Sequence, residues 1–170
     1  MENDYVVPSI RLALALLAGA FIGLERTYHG RPAGFRTHTL VSTASCLLML
    51  VPIYYVDLIP EDPLRFVSMD PTRMAQGIVT GIGFLGAGVI LKEGLTVRGL
   101  TTAASIWMTA SIGIAIGLGF YFPALVAEIM AVGTLSTFRW VETRIPAVQF
   151  ARLTVWLPHD SSVSEDELVR

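Results

Sequence analysis

Glu25 and Arg26 close one apolar stretch of the chain, and Arg36 opens the next after a loop holding His29, Gly30, Pro32 and Gly34. The arrangement returns downstream, where Lys92 and Glu93 close a stretch and Arg98 opens another after Gly94. Each loop arginine leads into a Thr- and Ala-rich segment, Arg36-Thr37 through Thr43-Ala44-Ser45 and Arg98 through Thr101-Thr102-Ala103-Ala104-Ser105. Two chemistries are open to these residues. The cations can simply anchor the ends of apolar stretches at a membrane interface, with their stems in the apolar layer and their heads in water. Alternatively Glu25 pairs with an arginine of the neighbouring unit, and Glu25, Arg26, Arg36, Thr37, Arg98, Thr101 and Thr102 form one polar cluster at the cytoplasmic end. The two units run in the same sense, so a true repeat would be parallel, about an axis along the membrane normal.

Glu128 is the deeper charge, well inside the last apolar stretch. A carboxylate at the centre of a bilayer costs about 2.5–3.5 kcal/mol on insertion scales, so it demands a partner, a proton or a water-filled cavity. Arg11, near the outer end of the first stretch, is the expected partner; protonation and a place on an ion path are the alternatives.

Enzymatic motifs do not emerge. Gly81, Gly83 and Gly86 spell Gly-x-Gly-x-x-Gly, but inside an apolar stretch rather than after a strand, which is the wrong context for a phosphate cradle. His29 and His38 read as separate loop positions without metal-ligand spacing. The Ser and Thr residues of the apolar stretches show no neighbouring His base. The single cysteine, Cys46, reads as a small buried residue. The expectation is a protein that is not an enzyme, holds no cofactor and binds no nucleic acid, with Mg²⁺ as a ligand or signal at most and any metal site unassigned.

The elements that position these residues follow from composition. The chain is 53% hydrophobic and 15% charged, against about 25% charged in soluble domains, and its apolar residues come in blocks near the roughly 20 residues of a membrane span. Five spans are expected, about 8–25, 38–56, 73–92, 100–117 and 121–140, within a transmembrane domain of residues 1–145. The first lacks a basic leader and is read as a retained span rather than a signal peptide. Nine of the 12 basic residues fall on one side of this topology: Arg26, Arg31, Arg36, Lys92, Arg98 and the four from Arg139 onward. By the positive-inside rule the N-terminus is expected outside and the C-terminus in the cytoplasm.

Small residues four apart let helix backbones approach closely in lipid. Gly77, Gly81, Gly83, Gly86 and Gly88 crowd the third span, Gly19 and Gly23 mark the first, and Gly113 the fourth. Tight packing is the first reading, within the chain or in a homodimer or larger oligomer. A broken helix lining a substrate site is the second. Residues 146–170 change character: 150–157 reads as a strand, and Ser164 with the acids 165–167 as a helix start, the beginning of a small cytoplasmic α+β unit.

Two long segments then carry a family likeness. Gly19-Ala-Phe-Ile-Gly23-Leu-Glu25-Arg26 with Ala33-Gly34-Phe35-Arg36-Thr37-x-x-Leu40-Val41 resembles the opening signature of the MgtC/SapB membrane proteins. Gly81-Ile-Gly83-Phe84-Leu85-Gly86-Ala87-Gly88, followed by Val97-Arg98-Gly99-Leu100-Thr101-Thr102-Ala103-Ala104-Ser-Ile-Trp107, resembles the second. The resemblance covers about residues 8–140. It implies an all-α membrane protein of about five transmembrane helices with a cytoplasmic tail that begins an ACT-like domain, making this chain a shortened member or one that stops inside that domain. It also implies a link to growth in low magnesium, through a regulatory role or through transport of Mg²⁺ or another small ion, and contact with lipid and with another membrane protein. One virulence-linked branch restrains the membrane ATP synthase. Its members carry Asn where this chain has Thr101 and Cys where it has Met108, which sets this chain apart from that role.

Overall fold

The computed structural model describes residues 5–58, 70–94 and 96–142. It contains five helices, α1 (Val6–Tyr28), α2 (Phe35–Leu58), α3 (Pro71–Gly88), α4 (Leu100–Leu118) and α5 (Tyr121–Glu142), and one small hairpin, β1 (Leu91–Glu93) with β2 (Thr96–Arg98), between α3 and α4. Among the described residues, three helices are long and apolar enough to cross a membrane, Val6–Tyr28, Phe35–Tyr54 and Leu100–Leu118, and Tyr121–Thr137 is a shorter apolar helix. Arg73, Gln76 and the glycines of α3 dilute its apolar residues, and it does not join that set. The architecture is that of an all-α membrane protein.

Local sequence sets the helix ends. Asp70 caps α3, its carboxylate accepting from Thr72 N at 2.8 Å and Thr72 Oγ1 at 2.7 Å, and Pro71 fills the first helical position, where no N–H is missed. α4 stops at Gly119, whose φ of +85° suits a residue without a Cβ. Phe120 N then reaches back to Ala115 O at 2.8 Å and Gly119 N to Ile116 O at 3.0 Å, satisfying carbonyls the helix end would orphan.

The third apolar block does not stay helical to residue 92. α3 ends at Gly88, and Leu91 pairs with Arg98, Lys92 with Val97 and Glu93 with Thr96. The chain has to reverse here between two helices, and Gly94 (φ +61°) and Gly99 (φ +90°) supply the backbone for it. Gly99 is needed twice over, since a Cβ there would overlap Val89 O. The expected strand at 150–157 and helix start at 164 lie outside the described residues, as does the link between α2 and α3.

α2 is the central element, packed against both α1 and α4, which also touch each other. Ala15, Ile22, Cys46, Leu50, Ile112, Ile116, Ala124 and Ala131 form one buried cluster across α1, α2, α4 and α5. Val41, Met49, Ile78, Ile82, Ile106 and Ala110 form a second across α2, α3 and α4. Glycines allow this closeness. A Cβ on Gly19 would overlap His38 O and lie 2.8 Å from Thr39 Cα, and one on Gly23 would lie 2.6 Å from Phe35 Cα. From α4, a Cβ on Gly113 would overlap Ser42 O, and one on Gly117 would sit 2.7 Å from Met49 Cβ. α1 and α4 thus rest on the main chain of α2 at distances that no larger residue allows.

Candidate functional site

The end of α1, the start of α2 and the start of α4 meet around a buried polar group. Arg26, in the last turn of α1, is only 4% exposed, and its Nη2 donates to Thr102 Oγ1 on α4 at 2.8 Å. Thr102 also offers its carbonyl, which accepts from Ser105 Oγ at 2.8 Å. Ser105 Oγ lies 3.0 Å from Nε2 of His38 on α2, and His38 Nδ1 lies 3.0 Å from Gly34 O. A carbonyl can only accept, so Nδ1 of His38 carries a proton, and Nε2 of the neutral ring is the acceptor for Ser105. Ser105 then has one hydroxyl proton and two acceptors in reach, Nε2 and Thr102 O. One turn further, Thr109 Oγ1 donates to Ser105 O at 2.8 Å.

Ser105 and His38 stand at the separation of a nucleophile and its base, correcting the expectation that no His neighbours the Ser and Thr residues of the apolar stretches. His38 is not a loop residue either; it sits inside α2 with 0% exposure, and Ser105 is 4% exposed. Sealed in this way, the pair links α2 to α4, completing a chain of polar contacts from α1 through α4 to α2.

The group is not fully satisfied. Arg26 Nε, Glu25 Oε2 and Ser42 Oγ are buried without a hydrogen-bond partner. Glu25 turns its other oxygen to His29, the residue after α1, with Oε1 and Nδ1 2.8 Å apart. Of the residues singled out in the sequence, Arg26 and Thr102 are in direct contact and Glu25 adjoins them. Thr37 is half-buried on α2; Arg36, Thr101 and Arg98 are exposed, the last at the end of β2. The two missed members are His38 and Ser105. A signal for them existed: His38, Ser42 and Ser45 recur at helical spacing on one face of α2, and Thr102, Ser105 and Thr109 do so on α4.

Two further features lie away from this cluster. Arg11 does not pair with Glu128. Its Nη1 donates to Gly117 O at 2.7 Å and its Nε to Tyr121 OH at 3.1 Å, which joins α1 to the α4–α5 turn. The carbonyls at the end of α4 and a phenol at the start of α5 are nearer than an acid two turns into α5. Both carboxyl oxygens of Glu128 are buried without a partner.

The glycines of α3 also behave unlike the others. A Cβ on Gly86 would meet Ala103 Cβ at 3.6 Å, but around Gly77, Gly81, Gly83 and Gly88 nothing beyond the local backbone of α3 lies within 4 Å of where a Cβ would be. Gly77 and Gly81 instead border an apolar groove of about 440 Å³ between α2 and α3, with Leu40, Ala44, Leu48, Ile78 and Leu85 among its walls. Among the described residues, no three His, Cys, Asp or Glu side chains gather as a metal site would need.

Known proteins share this chain's sequence. It is 39% identical over 181 residues to protein SrpB of Synechococcus elongatus, covering 98% of this chain and 96% of that protein. It is 43% identical over 137 residues to YhiD of Escherichia coli strain K12, which carries a provisional name as a magnesium transporter; the match covers 80% of this chain and 62% of YhiD. With protein MgtC of Salmonella typhimurium it is 45% identical over 121 residues, 71% of this chain and 48% of MgtC. The chain therefore spans nearly the whole length of SrpB but about half of MgtC. No solved structure matches it. The model of the MgtC family matches residues 12–144, a range that takes in most of α1, all of α2 through α5, the buried Arg26–Thr102 contact and both glycine-rich signatures; the chain belongs to the MgtC family.

Proposed function

We propose that this chain is a multi-pass protein of the bacterial inner membrane that acts by binding, as a regulatory partner rather than as a catalyst, in membrane ion homeostasis or magnesium limitation. In this reading all five helices span, with the N-terminus outside and the C-terminus in the cytoplasm, where most of the basic residues fall. A C-terminal reporter that is inaccessible from the cytoplasmic side overturns the orientation.

The open glycine face of α3 supports the binding role. Gly19, Gly23, Gly113 and Gly117 are each filled by α2, whereas Gly77 and Gly81 border an unfilled apolar groove. In lipid, a glycine face gains its packing energy only when another helix covers it. The partner we favour is a second copy, whose α3 presents the same face and so makes a self-complementary contact. Cross-linking in native membranes tests this: the wild type gives a dimer, and Gly77→Leu with Gly81→Leu reduces it at least tenfold while the monomer stays folded. A dimer yield unchanged by the substitutions, or monomer alone in the wild type, removes the proposal.

Glu128 favours a second reading, transport of Mg²⁺ or another small ion, in keeping with the name given to YhiD. Mg²⁺ keeps most of its waters and is held by carboxylates. Purified protein in liposomes that carries Mg²⁺, with loss of flux in Glu128→Gln, would place transport first.

A further inference from the structure

Glu128 lies on the face of α5 that carries Ala124 and Ala131 into the buried cluster with Ala15, Ile22, Ile112 and Ile116. Its two carboxyl oxygens are inaccessible and unpartnered. Among the described residues, the elements packed chiefly on α5 are α4 and α1. α4 carries no acidic or basic side chain along Leu100–Leu118. On α1 the charges are Arg11, Glu25 and Arg26. Arg11 is committed to Gly117 O and Tyr121 OH, at the start of α5. Glu128 follows Tyr121 by two helical turns, about 10 Å of axis at about 1.5 Å per residue. Arg26 is occupied by Thr102 at the end of α1, some 20 Å from Arg11 along the same helix. Cys46 and, at the fringe, Tyr54 reach the cluster from α2, and neither supplies a positive charge.

A bare carboxylate in such surroundings is uncompensated, and its desolvation costs several kcal/mol. One positive charge must accompany it. The oxygens are closed off beside a cluster of alanine, isoleucine and leucine, and among the described residues no group of acidic, His or Cys side chains gathers to replace the water of a metal cation, so the charge that fits is the smallest. We propose that Glu128 is a proton-binding site at the α1–α4–α5 junction, loaded whenever α5 is docked. The balance is simple: the carboxylate takes one proton from hydronium, releases water, and enters the cluster as –COOH. Emptying the site requires α5 to move off α4 and α1 so that water reaches the oxygens. α5 docking and proton uptake are then one event, whether or not the chain carries ions.

Infrared spectroscopy of the protein in lipid tests the site directly. In the wild type at neutral pH, Glu128→Gln should remove the C=O stretch of one protonated carboxyl per chain and leave the ionised-carboxylate absorption unchanged. Loss of ionised-carboxylate absorption instead would overturn the proposal, as would a protonated band that disappears when Na⁺ or Mg²⁺ is supplied, which would make the occupant a cation. If the glutamine variant misfolds, deuterium exchange on the wild type answers the same question. A protonated band that shifts slowly in D₂O marks a sealed site; absence of any slow component refutes it. Neither measurement depends on ion flux or on the cross-linking experiment, so failure here leaves both those readings standing.

Discussion

Arg26 Nη2 on α1 donates to Thr102 Oγ1 on α4 at 2.8 Å, a contact between residues 76 apart in the chain and closed off from solvent. It fixes the end of α1 against the beginning of α4, and through Ser105 it bears on His38 of α2. Removing the acceptor leaves a buried cation with a second unmet donor, since Arg26 Nε already lacks one. Thr102→Val should therefore cost about 2 kcal/mol, the usual scale for a hydrogen bond to a charged group, and Thr102→Ser should recover most of it. Unfolding of the detergent-solubilised protein measures both; an unchanged Thr102→Val variant would show that Arg26 finds another acceptor.

The contact of Arg11 with the α4–α5 turn gives a graded expectation. Tyr121→Phe removes one of two acceptors and should cost about 1 kcal/mol, while Arg11→Ala removes both bonds and should cost about 2–3 kcal/mol. Combined with Glu128→Gln, Arg11→Ala should be additive to within about 0.5 kcal/mol, because the two side chains do not meet. A larger coupling energy in that double-mutant cycle would restore the ion pair.

Glycines that look alike in sequence should respond in opposite ways. Gly19→Ala and Gly113→Ala drive a methyl into His38 O and Ser42 O, both main-chain atoms, and should each cost about 1–3 kcal/mol, as overpacking does. Gly83→Ala meets open space and should be neutral or gain about 0.5–1 kcal/mol from the stiffer helix. The three variants, compared by thermal unfolding in one detergent, settle the contrast.

Arg36 is exposed in the first turn of α2. Arg36→Ala should change stability by no more than about 0.5 kcal/mol, whereas Glu25→Ala, at a largely buried carboxylate beside His29, should cost more. Equal and non-additive losses would tie Arg36 into the buried group after all.

Asp70 lies before α3, where its hydrogen bonds from the Thr72 hydroxyl and amide hold its carboxyl below the usual carboxylate range. A depressed value means the folded state binds fewer protons than the unfolded chain, so the cap contributes above the ordinary Asp value of about 3.9 and is lost as pH falls through the folded value. Amide exchange at Thr72 and Arg73, corrected for intrinsic rates, should therefore accelerate under acid conditions in the wild type. In Asp70→Ala it should already be fast at neutral pH.

Apolar block length and turn residues make the helices legible to within a turn, because the blocks end near a glycine, proline or charge. The hairpin after Gly88 was less so: Leu91, with Ile90 before it, continues the apolar run, and only the pairing of β1 with β2 shows that the chain has turned. Arg26 and Thr102 stood out as charge and hydroxyl near span ends. His38 and Ser105 did not, because a lone His beside a loop and one Ser among several carry no mark until α2 and α4 are brought side by side. Charge alone points Arg11 to Glu128, and hydrogen-bond geometry at the end of α4 prevails over that attraction. The glycines of α3 were legible as a close-approach face, though not as one that α2 leaves uncovered.

Gly19 and Gly23 of α1 and Gly113 of α4 touch the carbonyls and α-carbons of α2 rather than its side chains. A surface made of main chain is the same whatever residues α2 bears, so substitutions along α2 leave those two contacts intact provided the helix persists. Selection should accordingly be strict at Gly19, Gly23 and Gly113 and permissive at the outward positions of α2, such as Leu40, Leu47 and Leu48. Homologues can then remodel the side of α2 that borders the α3 groove, and with it the choice of what binds there, without rebuilding the three-helix centre that holds the domain together.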